Sequence, residues 1–148
     1  AVGHSHFRSK PITSAYLTAK YDNNFVAHIN VNWLSPVKIR QTILGGSKKM
    51  ILYNDLEPSD KIKVFNKGVD VIKNENSTSN LIKYKVGDTF LPNLKDIEAL
   101  KMAVVEFKNM IHNRKYKSRS SGQNGLDVVK ILEAADISMT NNGKPVKV

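Results

Sequence analysis

The sequence predicts an α+β fold: a large, mostly antiparallel open sheet with helices on one face. Three observations lead there. Apolar residues alternate with polar ones in short runs over most of the first 86 residues, and Asn, Gly and Pro break those runs. After Leu91-Pro92-Asn93 the apolar period lengthens to about three and a half residues. Strands therefore come first and helices last, an order that segregates helices to one side of a sheet.

Taken in order, the chain opens on His4-Ser5-His6, which sets two imidazoles on one face of an extended segment. Two ligands without a nearby carboxylate or third histidine make a poor metal site, so an ordinary N-terminal strand is the better reading. Residues 15–21 form a strand with Ala15, Leu17 and Ala19 on one face and Tyr16, Thr18 and Lys20 on the other. Asp22-Asn23-Asn24 turns it into residues 25–33, since Asn tolerates the positive φ of tight hairpins. There Phe25, Ala27, Ile29, Val31 and Trp33 share one face, and His28, Asn30 and Asn32 the other. Ser35-Pro36 interrupts pairing, and a third strand over 38–44 ends at Gly45-Gly46. Further strands fall at 49–53, 62–65 and 80–86, with turns at Glu57-Pro58-Ser59-Asp60 and at 74–79.

The first helix is expected to take Asn93 as its cap, with Asp96 in its first turn, and to line Ile97, Leu100, Val104, Phe107 and Ile111 along one side. A polar loop over 114–125 leads to a second helix over 126–138, with Leu126, Val129, Leu132 and either Ile131 or Ala135 turned inward. Asn142-Gly143 stops it before a short last strand, 145–148. Helices on one face leave the other open, as an oligomer or docking surface.

At 148 residues the chain has the length of one domain, and 41% hydrophobic residues allow a core. The absence of cysteine removes disulfides, iron–sulfur clusters, thiolate zinc sites and cysteine nucleophiles, and fits a cytoplasmic location. No apolar run approaches the roughly 18 residues of a membrane span, and the opening AVGHSHFRSKP has no signal core, so no membrane partner is expected. The net charge of +10 arises from 23 basic against 13 acidic residues. Nineteen of the cations are lysines placed singly or in pairs, which suits a solvated surface better than a polyanion track. The one dense cluster is Arg114-Lys115-Tyr116-Lys117-Ser118-Arg119.

On a strand, Lys38 and Arg40 project to the same side and either converge on one anion or remain solvated. Trp33 is read as a core anchor from its alternation, with stacking on a base or sugar ring as the alternative. His28 lies on the polar face, more simply as a hydrogen-bonded sheet histidine than as a base, and His112 complements the negative end of the first helix. Gly122-Gln123-Asn124-Gly125 offers backbone N–H groups at a helix start, but lacks both the dinucleotide pattern and the phosphate-loop lysine. No nucleophile triad, H-E-x-x-H or paired carboxylate emerges, so catalytic, cofactor and metal residues are all expected to be absent.

Several of these segments together resemble the C-terminal domain of the Gfo/Idh/MocA oxidoreductases. They are Ala1-Val2-Gly3-x-Ser5, Asn23-Asn24, Trp33-Leu34-Ser35-Pro36-x-Lys38-x-Arg40, Gly46-Ser47-Lys48-Lys49-Met50, Tyr53-Asn54-Asp55, Asp60-Lys61-Ile62 with Gly68-Val69, and Gly125-Leu126-x-Val128-Val129-x-Ile131-Leu132-Glu133-Ala134-Ala135-x-x-Ser138. The resemblance spans nearly the whole chain and implies one domain, 1–148. In that family an N-terminal Rossmann domain binds NAD or NADP and carries catalysis, and the second domain supplies substrate and oligomer contacts through its open sheet. The family's nucleotide fingerprint and Glu-Lys-Pro segment have no counterpart here, and His4 and His6 do not match its catalytic motif. What the resemblance implies is a substrate-binding and oligomerisation fragment, inactive alone, acting on a sugar or nucleotide sugar. It implies substrate-binding roles for Trp33, Lys38, Arg40 and Arg119, and a homo-oligomer. The alternative is a stand-alone basic module holding nucleic acid on the open sheet. It ranks second because that face carries Asn and His rather than paired aromatics.

Overall fold

The structure, a computed structural model, describes residues 1–8, 11–72, 81–95 and 97–148. Among the described residues nine strands precede two helices: β1 (Val2–His4), β2 (Ser14–Lys20), β3 (Val26–Asn32), β4 (Gln41–Gly45), β5 (Met50–Asn54), β6 (Ile62–Phe65), β7 (Gly68–Ile72), β8 (Leu81–Lys85), β9 (Thr89–Phe90), α1 (Ala99–His112) and α2 (Gly122–Thr140). The α+β class holds, and the strand pairs described are antiparallel. These described strands divide among three sheets, ordered β1-β2-β3, β4-β5-β6-β9 and β7-β8. They belong to two compact units, one formed by Ala1–Pro36 with Glu98–Val148 and the other by Val37–Ile97.

In the first unit β2 is the central strand. Ala15, Leu17 and Ala19 face Val31, Ile29 and Ala27 of β3 across the ladder, and Tyr16 and Thr18 face Asn30 and His28. The predicted split into an apolar and a polar face is thereby kept. Asn24 takes φ 62° in the connecting turn, the left-handed conformation Asn tolerates, and Tyr21 N–H donates to Phe25 O at 2.9 Å. Helix α2 packs on β1 through Ala135, Ser138 and Met139, and the Met139 sulfur lies where a side chain at Gly3 would sit. Ser121 caps α2 by accepting the Asn124 N–H at 3.2 Å. At its end Asn142 and Gly143 take φ 55° and 80°, and Gly143 N–H returns to Ser138 O at 2.8 Å.

Other expectations are corrected. The third strand starts at Gln41 rather than 38 and pairs with β5, not β3: Pro36 has no N–H to donate to a ladder, so the chain leaves the first sheet there. Asn93 does not cap the first helix, and Asp96 lies outside the described residues. Helix α1 instead begins after Glu98, with no side-chain cap, where the strong helix formers Ala99-Leu100-Lys101-Met102-Ala103 begin. Residues 122–125 form the first turn of α2 rather than preceding it, and 145–148 is not a strand. The turn at 74–79 also lies outside the described residues.

The predicted apolar faces are real, but most of them are uncovered. Phe25, Ile29 and Val31 on the β3 side, and Leu126, Val129 and Leu132 on α2, are exposed, and no residue of α1 is buried. Trp33, expected as a core anchor, is 62% exposed. It follows β3, an edge strand, and is held by its indole N–H donating to Ile12 O at 2.9 Å and by Phe7, whose ring centroid is 6.4 Å away. Among the described residues the buried positions are Ala15, Ala135, Thr13 and Ser138.

Candidate functional site

In the second unit, residues 38–41 run into β4 beside the turn that leaves β5. Lys38, Ile39, Arg40 and Gln41 of the one segment and Asn54, Leu56 and Glu57 of the other line an open cleft of about 240 Å³. Backbone pairing sets this geometry. Gln41 and Asn54 are ladder partners, and Asp55 N–H donates to Arg40 O at 3.0 Å. The Asn54 side-chain oxygen accepts Leu56 N–H at 3.2 Å, an Asx turn after which Glu57 borders the same cleft. Lys38 and Arg40 are thus brought to one cleft, though from an irregular lead-in rather than from a strand.

Arg40 is paired as well as exposed. Its Nη1 donates to Asp55 Oδ2 at 3.2 Å, and the other carboxylate oxygen accepts the Tyr53 hydroxyl at 2.9 Å. Accepting first from Tyr53 and then from Arg40 holds the Asp55 carboxyl below its ordinary value. Donating to that carboxylate, with a smaller push from burial, holds the Tyr53 phenol above its own. The arrangement steadies the guanidinium while leaving donors for a ligand.

The sign of the pH dependence follows. A carboxyl lowered on folding stabilises fully above its unfolded value, near 4, and that contribution disappears as pH falls through the lowered folded value. Tyr53→Phe is expected to move the Asp55 titration, followed by carboxyl carbon NMR, upward toward the ordinary aspartate range. An unmoved midpoint would mean that Tyr53 contributes nothing to it.

The other two predicted substrate residues lie in the first unit. Trp33 borders an apolar hollow of about 220 Å³ with Ile12, Thr13, Ala15 and Val31. Arg119 sits in the loop before α2, where its carbonyl accepts Asn124 Nδ2–H at 2.9 Å. That basic loop is tied to α1, because Glu106 accepts Tyr116 Oη–H at 2.8 Å and Ser118 Oγ–H at 3.4 Å. The N–H of Asn124 is taken by Ser121, so the start of α2 is committed to its own cap.

His4 and His6 stack edge to face at 4.7 Å, and His6 Nδ1 is hydrogen-bonded to Thr13 Oγ1. Among the described residues no group of three or more metal-ligating side chains occurs. His28 Nδ1 is hydrogen-bonded to Thr18 at 3.2 Å, and His112 Nδ1–H donates to Lys108 O at 2.9 Å, each a local structural contact. No known protein family, curated protein or solved structure matches the chain. Among the described residues no helix is long and apolar enough to cross a membrane.

Tyr53, Asp55, Gln41, Asn54 and Glu57 were not expected at the site, although Tyr53-Asn54-Asp55 belongs to the resemblance and Glu57 to a predicted turn. A signal existed for the first two: Tyr53 and Asp55 stand two apart along one strand direction, opposite a segment carrying Arg40, a placement that lets a carboxylate join both.

Proposed function

We propose that this chain is the substrate-binding and oligomerisation domain of an NAD(P)-dependent oxidoreductase acting on a sugar or nucleotide sugar. In this reading cofactor binding and catalysis belong to a separate Rossmann domain, as in the Gfo/Idh/MocA proteins that the chain resembles. The observation that carries the reading is the cleft itself. Two cations, Lys38 and Arg40, suit a phosphate or carboxylate. The amides of Gln41 and Asn54 and the carboxylate of Glu57 suit sugar hydroxyls, which need both donors and acceptors.

Titration calorimetry of the chain with nucleoside-diphosphate sugars, the corresponding neutral sugars and NAD(H) tests this. Binding of the anionic sugar is expected, with about a 10- to 100-fold loss in Arg40→Ala and Lys38→Ala, the effect of removing one charge-assisted contact. Tight NAD(H) binding, or anionic-sugar binding unaffected by both substitutions, overturns the assignment. The polyanion-binding alternative predicts instead that a single-stranded oligonucleotide binds and is released steeply by salt.

A further inference from the structure

We propose that α1 is a self-association helix, and that two copies of the chain pair in parallel through Leu100, Val104, Phe107 and Ile111. This inference stands apart from the ligand reading and concerns a different surface from the open sheet. The four positions advance by 4, 3 and 4 residues, which is the a/d spacing of a heptad seam, with Leu100 and Phe107 at d and Val104 and Ile111 at a. In parallel coiled coils a β-branched residue at a with Leu at d favours two strands, and Val104 and Ile111 at a with Leu100 at d follow that pattern. The seam is laid bare: the four residues are 71%, 61%, 64% and 64% exposed. The hydrogen bonds that do reach α1 from the following loop, from Tyr116 and Ser118, end on Glu106, well round the helix from the seam.

Charge identifies a second copy as what covers it. The e positions are Lys101 and Lys108, and the g positions are Ala103 and Met110. A parallel pair sets e against g, so lysine stems lie over Ala and Met. An antiparallel pair sets e against e, lysine against lysine, which is repulsive. An acidic partner helix would be drawn by the lysines, but it would find no further cation at g to fix its register.

Area points to the same occupant. The four side chains expose on the order of 500 Å², and with the flanking Met110 and lysine stems they approach the lower range of specific interfaces, near 600 Å² per partner. Two heptads alone make a modest contact, so association is expected to depend on concentration in the micromolar range.

The test uses the full chain. Light scattering over about 5–200 μM is expected to show monomer giving way to dimer. Phe107→Glu is expected to weaken dimerisation by at least tenfold, with helical circular dichroism retained because the seam is exposed in the monomer. The chain has no cysteine, so Leu100→Cys, a smaller apolar side chain at the same seam position, provides a second readout that traps the pair covalently. In parallel register the two thiols face each other, and mild oxidation is expected to link most of the protein as a dimer. In an antiparallel pair centred on the seam they lie about 16 Å apart and stay free. A wild type that remains monomeric at 200 μM overturns the proposal. So does a dimer undiminished by Phe107→Glu, or one in which Leu100→Cys fails to cross-link.

Discussion

Gly68→Ala is expected to destabilise the second unit by about 2–3 kcal/mol, the cost of forcing extra atoms into a closed contact. Gly68 opens β7, and the Ser47 carbonyl of the β4–β5 turn occupies the space that a Cβ would need, with Lys48 Cα 3.0 Å away. The adjacent Val69 N–H donates to the same Ser47 oxygen at 3.0 Å, so the turn cannot withdraw without breaking that bond. The obstruction is backbone, which has no rotamer to give. Gly45→Ala is the matched control, because nothing lies within 4 Å of its Cβ position. Thermal melts should therefore separate the two, with Gly68→Ala lowered by about 8–20 °C for a unit of this size and Gly45→Ala nearly unchanged. Equal melts would mean that β7 does not rest on the β4–β5 turn.

Local patterns in the sequence carried the strands well. Period-two alternation placed β2, β3, β5 and β6 to within a residue or two, and the Asn24 turn followed from the left-handed conformations that Asn accepts. What alternation does not carry is which strand pairs with which. A proline can bend a strand within one sheet or end its membership in that sheet, and at Pro36 the second outcome separates β3 from β4. Register and sheet membership rest on contacts far apart in sequence, which no short window contains.

The same limit governs the faces. The periodicity of Leu100, Val104, Phe107 and Ile111 specified a stripe correctly, but a stripe records only that something apolar belongs against it. Reading it as a face turned onto the sheet assumed that the partner lies in the same chain, and the exposure of α1 removes that assumption. At the cleft, cation spacing was legible in Lys38 and Arg40. Their restraint by Asp55 and Tyr53 was not, because it depends on the β4–β5 register.

Thr13→Val is the second large effect, expected to cost about 1–3 kcal/mol in urea unfolding, the net worth of two part-buried hydrogen bonds. Thr13 is nearly inaccessible and ties three segments together. Its N–H and its hydroxyl both donate to His4 O, at 2.8 and 3.0 Å, and its carbonyl accepts Trp33 N–H at 3.2 Å. The hydroxyl has one proton, and that proton goes to His4 O, so the bond to His6 must be donated by Nδ1–H of the ring. Valine keeps the volume and removes both hydroxyl bonds, leaving His6 without its acceptor. Thr13→Ser keeps the hydroxyl and is expected to recover most of the loss. The chain's single tryptophan lies beside the site, so its emission should shift in Thr13→Val, and the His6 ring should lose its preference for the Nδ1–H form in nitrogen NMR. If valine and serine behaved alike, packing rather than this hydrogen-bonded junction would be what joins β1 to β3.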